Sequence, residues 1–329
     1  MNNRLLLKQT IGHFCVDATC AAVVIHGTSN LSFSFLFFVL YNFLAFCLQP
    51  LAGILLDKVK NIQPRDYIIT SFILLLLGFI PEFNIWGRVL LVGIGNCLFH
   101  TGAGTIILTS SAHKMTPLGI FVSTGAVGLF LGSLFADYSA CHIILILALL
   151  VLIFLNLNLP IKTKLPLRRA FSSWQIAFLL CLCIAIRSFM GFMPLTDFKK
   201  TPSVLLLITM GVFIGKSLGG ILCDKWGIKP VVILTTILVM GLFLFSFHNP
   251  YLWTLVQMIV NLSMPITLYL MYKSMPSYPA FSFGLAASFL VVGLLATFAF
   301  KSVQIPSACF LILFVLNSGI ILWSERKLK

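Results

Sequence analysis

The sequence predicts an all-α membrane protein with twelve transmembrane helices in two six-helix pseudo-repeats. Hydrophobic residues make up 60% of the 329 residues and charged residues only 9%, whereas soluble proteins carry about 25% charged residues. The apolar stretches are continuous and close to the ~20 residues that a helix needs to cross a bilayer, which favours helices over a β-barrel. A stretch near residue 50 also recurs about half a chain later, which indicates an internal repeat.

The repeated stretch reads QPLAGILLDK at residues 49–58 and KSLGGILCDK at residues 216–225. Identical residues occupy six of the ten aligned positions, ending in Asp57-Lys58 and Asp224-Lys225. An acidic residue at the carboxyl end of a helix faces the negative end of the helix dipole, which is unfavourable. Because this cost occurs twice at matching positions, we expect each aspartate to have a partner elsewhere. Two ordinary helix ends with a similar composition are the alternative.

Twelve apolar segments follow one another with short connections. The longest polar connection, PIKTKLPLRRAFSS at 160–173, separates a six-helix bundle at 1–159 from a second at 174–329. Thr116-Pro117 and Tyr278-Pro279 have the proline expected at the first helical position, and predict the starts of the fifth and eleventh helices. The predicted segments are 8–27, 32–56, 66–81, 88–112, 117–136, 140–159, 174–195, 203–223, 229–247, 251–272, 280–300 and 305–324.

The lysine and arginine residues predict the orientation of the chain. Placing the amino terminus inside puts sixteen basic residues on the cytoplasmic side and four on the other, which favours both termini in the cytoplasm and location in the cytoplasmic membrane. The net charge of +14 then reflects topology, and no nucleic-acid partner is expected. The inner set is Arg4, Lys8, Lys58, Lys60, Arg65, Lys114, Lys162, Lys164, Arg168, Arg169, Lys225, Lys229, Lys273, Arg326, Lys327 and Lys329; the outer set is Arg88, Lys199, Lys200 and Lys301.

Several classes of protein lack support in the sequence. The nine cysteines lie mostly in apolar runs without metal-ligand spacing, so we expect small buried residues, no metal site and no cofactor. The first apolar run has no cleavage site and contains His13 and Asp17, which predicts a retained helix. No phosphate-binding loop, H-E-x-x-H motif or nucleophile–base pair is visible, so neither an ATP-driven pump nor an enzyme is expected.

Small residues recur at spacings that let helix backbones touch. Two glycine rows have this spacing, one in the fifth segment and one in the eighth, and we expect each to mark a close helix–helix contact. The rows are Gly125, Gly128 and Gly132, and Gly211, Gly215 and Gly219.

Five ionisable residues lie near the middle of predicted spans, where a charge costs a few kcal/mol and is a functional candidate by default. His13 and Asp17 are four residues apart in the first segment and therefore share a helix face. His100 lies in the fourth segment, Arg187 in the seventh and Lys216 in the eighth. A hydrogen-bonded packing role for His100, and a permanent pairing of Asp17 with Arg187, are the structural alternatives.

Two six-helix halves joined by a central loop, with G-x-x-x-D-K after the second and eighth helices, resemble the major facilitator superfamily. The second copy, ending at Gly227, is the fuller one, whereas Lys60 stands at the glycine position of the first. The segments GHFCVDATCAA, LQPLAGILLDK, GIGNCLFHTGAG and GIFVSTGAVGLFLGS resemble the fosmidomycin-resistance branch of drug exporters. Thr101 and Gly102 follow His100 where that branch has Pro-Glu.

The resemblance implies which residues meet. Helices 1, 4, 7 and 10 of the family line a central cavity, and Lys216 of helix 8 is a further candidate. The resemblance also implies that Asp57 meets the start of helix 11 and Asp224 the start of helix 5, with Lys58 and Lys225 at the same corners. The implied substrate or proton site is His13, Asp17, Asn96, His100, Arg187, Lys216, Gln257 and Asn261; the implied cytoplasmic gate is Gly53, Asp57, Lys58, Gly220, Asp224, Lys225 and Gly227.

The predicted function is secondary active transport by alternating access. The first hypothesis is proton-coupled export of a small organic compound or drug, with Asp17 carrying the proton. The alternative is uptake or exchange of a small anionic metabolite, because Arg187 and Lys216 outnumber Asp17 among the candidates. A non-transporting membrane scaffold has no need of buried charges. The expected partners are a small-molecule substrate, protons and membrane lipid, and the expected state is a monomer.

Overall fold

The computed structural model describes residues 3–28, 31, 33–111, 114–159, 173–193, 195–300 and 306–329. All secondary structure within these ranges is helical. In chain order the main helices are α1 (Asn3–Thr28), α2 (Ser34–Lys58), α3 (Pro64–Leu77), α4 (Ile85–Ser110), α5 (Thr116–Leu134), α6 (Ser139–Asn156), α7 (Trp174–Phe192), α8 (Pro202–Trp226), α9 (Ile228–Leu242), α10 (Pro250–Ser274), α11 (Pro279–Ala299) and α12 (Ser307–Leu328).

The twelve described helices confirm the predicted fold class. Ten of them are long and apolar enough to cross a membrane, as judged from length and composition. The other two are α3, with 14 residues, and α9, with 15 residues and a short 3₁₀ turn after it. Each is the third helix of its half, so even the short elements repeat. The predicted central loop at 160–173 lies outside the described residues, apart from Ser173.

Prolines interrupt α2 and α10. Proline has no N–H and cannot bond the carbonyl four residues earlier. In α2, a π-helical turn at Phe43–Cys47 comes shortly before Pro50, and the Gln49 side chain donates 2.7 Å to the Ala45 carbonyl. In α10, the helix is interrupted at Leu262, shortly before Pro265. Each interruption thus lies within a few residues of a proline.

Contacts within the chain define two compact units. The first contains Met1–Ala112, Thr124–Arg168 and Tyr278–Ser288, and the second contains His113–Ser123, Arg169–Ser277 and Phe289–Lys329. In the first unit α1 packs on α4 and α6; in the second α8 packs on α10 and α7 on α12. The first turns of α5 and α11 therefore belong to different units from the rest of those helices.

Five of the six glycines in the two predicted rows lie against the backbone of a neighbouring helix. On α5, Gly128 lies against the Phe14 carbonyl and Gly132 against the Ala18 carbonyl of α1. On α8, Gly211, Gly215 and Gly219 lie against the carbonyls of three α10 residues one turn apart, which are Thr254, Met258 and Leu262. A side chain at any of these positions would separate the helices, so the spacing serves close packing.

Candidate functional site

Three ionisable side chains of the first unit meet between α1 and α4. The Nε2 atom of His13 lies 3.3 Å from Oδ2 of Asp17, one turn further along α1. The Nε2 atom of His100 on α4 lies 2.8 Å from Nε2 of His13 and 3.7 Å from Oδ1 of Asp17. Both histidines are 5% exposed, and the Asp17 side chain is 16% exposed. We call these three residues the His–Asp cluster.

Asn96, one turn before His100, orients the cluster. Its side-chain amide donates 3.1 Å to Oδ1 of Asp17 and 3.2 Å to the Tyr41 hydroxyl. Its backbone carbonyl lies 3.0 Å from Nδ1 of His100. Because a carbonyl only accepts, Nδ1 of His100 carries a proton, and the lone pair of neutral His100 is on Nε2, where it accepts from His13. One residue thus fixes both a carboxylate and an imidazole tautomer.

Two irregular features shape the surroundings of the cluster. Tyr41 comes shortly before the π-helical turn of α2, and Phe46 lies within that turn, with its ring centroid 6.2 Å from that of His100. Gly125 of α5 lies directly against Nε2 of His13 and Oδ2 of Asp17, so any side chain there would displace them. Nothing in the sequence predicted that Tyr41 and Phe46 are neighbours of the cluster, and Gly125 was predicted only as a helix-packing residue.

In the second unit, Arg187 of α7 is 5% exposed and faces α10. Its Nη1 atom donates 3.0 Å to the Thr267 hydroxyl and 3.5 Å to the Ser263 hydroxyl. No carboxylate in the part of the chain that the structure describes lies within 4.0 Å of this guanidinium. A guanidinium has five N–H donors, so most of its capacity is left for a ligand.

The other predicted site residues of the second unit are Gln257 and Asn261 on α10 and Lys216 on α8. The Asn261 side chain donates 2.9 Å to the Gln257 carbonyl, within α10. The side-chain nitrogen of Gln257 is buried and has no hydrogen-bond partner among the described residues. Lys216 is half-buried on α8, where its carbonyl lies against Gly119. Gln257 and Asn261 therefore lie on the same helix as the two hydroxyl groups that contact Arg187, whereas Lys216 lies on α8.

Each aspartate of the repeated motif caps the start of another helix. The two carboxylate oxygens of Asp57 accept from the backbone N–H groups of Ala280 and Phe281 in the first turn of α11, at 3.1 and 2.9 Å. Asp224 accepts from the N–H groups of Met115 and Thr116 at 2.8 and 2.9 Å, and from the Thr116 hydroxyl at 2.6 Å. The unpaired N–H groups and the positive end of each helix dipole thus compensate the acid.

The motif glycine one turn before each aspartate makes this contact possible. Gly53 lies against the backbone of Ala280 and Phe281, and Gly220 against that of Met115 and Thr116. A side chain at either glycine would hold the helix start away from the carboxylate. Glycine and aspartate at this spacing share one face, which explains why both recur in the two copies.

The ends of the two motifs differ in structure, as their sequences do. Gly227 has φ +84°, in the left-handed region that glycine adopts without strain, and ends α8. The first copy ends at Lys58 and continues through Val59 at φ −91°. Lys58 is exposed, and Lys225 lies 6.0 Å from the ring centroid of Trp226. Neither lysine forms an ion pair within the described residues, so their expected role at the corner finds no support.

Comparison with solved structures identifies the fold. A variant of the Escherichia coli fucose:proton symporter FucP is similar with a TM-score of 0.72 and 14% identity, over 98% of this chain and 97% of that one. A major facilitator superfamily transporter, FucP, in an outward conformation is similar with a TM-score of 0.68 and 16% identity, over 97% of both chains. A bacterial homologue of the iron transporter ferroportin in an outward-facing state is similar with a TM-score of 0.61 and 13% identity, over 99% of this chain and 98% of that one.

The chain therefore has the major facilitator fold over almost its whole length. No protein-family model and no curated protein matches its sequence. At this identity the likeness concerns the fold, and the resemblance to the fosmidomycin-resistance branch stays a prediction.

Proposed function

We propose that this chain is a secondary active transporter that takes up or exchanges a small organic anion across the cytoplasmic membrane by alternating access. The observation that carries this proposal is Arg187, a buried cation whose partners among the described residues are two hydroxyl groups. A charge inside a span is costly without a counter-ion. A substrate carboxylate, phosphate or phosphonate would supply that counter-ion, with the fork geometry that arginine prefers.

The fold supports the transport part of the proposal. The similar structures include a fucose:proton symporter and a homologue of an iron transporter, which are solute carriers with different substrates. Transport of this kind needs no covalent chemistry, because its free energy comes from differential binding in two states. The basic residues place both termini in the cytoplasm in this proposal.

The test is an exchange assay with purified protein in proteoliposomes. Vesicles are loaded with single unlabelled compounds from a panel of carboxylates, sugar phosphates, phosphonates and lipophilic neutral or cationic drugs, with and without an imposed pH gradient. We expect counterflow of one class of anion. Transport restricted to neutral or cationic drugs and driven by the pH gradient would contradict the proposal and favour proton-coupled export instead.

In this mechanism Asp57 and Asp224 stabilise the state that is closed to the cytoplasm. Each carboxylate accepts charge-assisted hydrogen bonds from a helix start. We expect Asp57→Asn and Asp224→Asn each to shift the population toward inward-open by about 1–2 kcal/mol, the scale of a partly buried dipole interaction, which is about 5- to 30-fold in the ratio of states. The measurement is the rate at which a cytoplasmic reagent labels an engineered cysteine.

Asp66 provides the matched control for this prediction. It is also an aspartate near a helix start, but it accepts 2.9 Å from the Gln63 N–H of its own helix. Asp66→Asn should leave cysteine labelling unchanged. Unchanged labelling in folded Asp57→Asn and Asp224→Asn proteins would reduce the motif to a helix stop.

A further inference from the structure

We propose that His13, Asp17 and His100 bind a divalent transition-metal cation. The ion is of the class that includes Mn²⁺, Fe²⁺, Co²⁺ and Zn²⁺, which accept mixed imidazole and carboxylate ligands. The residue spacing in the sequence gives no sign of this site, because the two histidines are 87 positions apart. The proposal concerns the first unit and does not depend on the anion proposed for Arg187.

The ligand atoms already have suitable separations. One atom from each residue can be chosen so that all lie within 4.8 Å of one another. Nε2 of His13 lies 2.8 Å from Nε2 of His100 and 3.3 Å from Oδ2 of Asp17, and Nε2 of His100 lies 3.7 Å from the other carboxylate oxygen, Oδ1. A metal with bonds of about 2.0–2.2 Å holds its ligands roughly 3.0–3.5 Å apart. Admitting an ion needs a wider His13–His100 separation. It also needs Nε2 of His13 to give up the proton that it donates to His100, because a metal ligand must offer a lone pair.

The orientation of the ligands also fits a metal centre. Histidines that bind metals usually donate their second ring N–H to a carbonyl or carboxylate, which fixes the tautomer and presents the other nitrogen to the ion. His100 has this arrangement, since Nδ1 faces the Asn96 carbonyl at 3.0 Å and Nε2 faces the other two ligands. The Asn96 amide holds Oδ1 of Asp17 at 3.1 Å, so one residue positions two ligands.

Aromatic rings and the α5 backbone surround the cluster. Phe46 and Phe99 have ring centroids 6.2 and 5.7 Å from that of His100, which gives an apolar shell that limits water. Gly125 brings the α5 backbone against His13 and Asp17. The Asp17 side chain, 16% exposed, marks the side from which an ion enters.

The test is titration of the purified, metal-free full-length protein with Co²⁺, followed by visible absorption, and with Zn²⁺ and Mn²⁺, followed by calorimetry. We expect one ion per chain and a Co²⁺ spectrum typical of nitrogen and oxygen ligands. The near-isosteric Asp17→Asn and His100→Gln substitutions should each weaken binding by more than about 100-fold. Asn96→Leu should weaken binding by about 10- to 100-fold, as for other residues that orient metal ligands.

The control uses a second histidine pair of the first unit, His26 and His142, whose ring centroids lie 5.3 Å apart. The double variant His26→Ala, His142→Ala should bind Co²⁺ as the unsubstituted protein does. The proposal is overturned if the folded unsubstituted protein binds no ion, or if Asp17→Asn and His100→Gln bind Co²⁺ unchanged. Each variant is checked for cooperative thermal unfolding, and Asn96→Leu keeps all three ligands if a ligand variant fails to fold. If this test fails, the proposed anion exchange is not affected, because that proposal rests on Arg187 and is tested by a separate exchange assay.

Discussion

The double substitution Gly215→Ala, Gly219→Ala is expected to prevent stable folding of the second unit. Both glycines lie directly against backbone carbonyls of α10, those of Met258 and Leu262. A methyl group cannot rotate away from a carbonyl, so α8 and α10 must separate along this contact. Overpacking of a well-packed core costs about 1–3 kcal/mol per site, and two adjacent sites of this kind would remove a large part of the 5–15 kcal/mol typical of whole proteins.

The measurement is thermal unfolding in detergent, together with the yield of monodisperse protein. Gly319→Ala is the matched control, because Gly319 lies within α12 and an added methyl group there meets nothing within 4 Å. Alanine favours a helix over glycine by about 0.5–1 kcal/mol, so the control should unfold at an equal or higher temperature. If the double variant unfolds at the same temperature as the unsubstituted protein, the backbone contact contributes nothing to stability.

Much of the fold could be predicted because its signals are local. Continuous apolar runs give the helices, and Thr116-Pro117 and Pro279 mark two helix starts that the structure confirms. The glycine rows predicted two close helix–helix contacts, whose partner helices in the structure are α1 and α10. The unfavourable placement of Asp57 and Asp224 predicted that each needs a partner, although the choice of helix came from the family resemblance.

The candidate sites could be predicted only in part because their geometry is tertiary. His13 and His100 were grouped through the helices that the family places around its cavity, and nothing in the sequence gave a distance of 2.8 Å between their nitrogens. Phe46 lies within the π-helical turn of α2 and Tyr41 just before it, and hydrophobic periodicity does not show such a turn. Ser263 and Thr267 face Arg187 from the second segment of the interrupted α10.

Replacing Arg187 by glutamine is expected to abolish anion exchange while leaving the protein as stable as before, or more so. Removing one member of a buried charged pair costs about 2–5 kcal/mol, so binding of the substrate anion should weaken by at least about 30-fold. In the absence of substrate, however, Arg187 forms no ion pair with a carboxylate of the described residues, so its replacement leaves no carboxylate unpaired. Removing the buried charge then relieves a desolvation cost, whereas removing a structural ion pair would destabilise the fold.

Two measurements and a control variant separate these two roles of Arg187. Anion counterflow should be lost in Arg187→Gln and partly kept in Arg187→Lys, which retains the charge but not the planar fork. The substrate anion should raise the unfolding temperature of the unsubstituted protein, as any ligand of the native state does, and should not raise that of Arg187→Gln. Arg88→Gln is the control, because Arg88 is a half-buried arginine of α4 that donates 2.9 Å to the Gly78 carbonyl, and its exchange rate should be normal. An Arg187→Gln protein that unfolds at a much lower temperature but still exchanges the anion would show that the guanidinium stabilises the fold and does not bind the substrate.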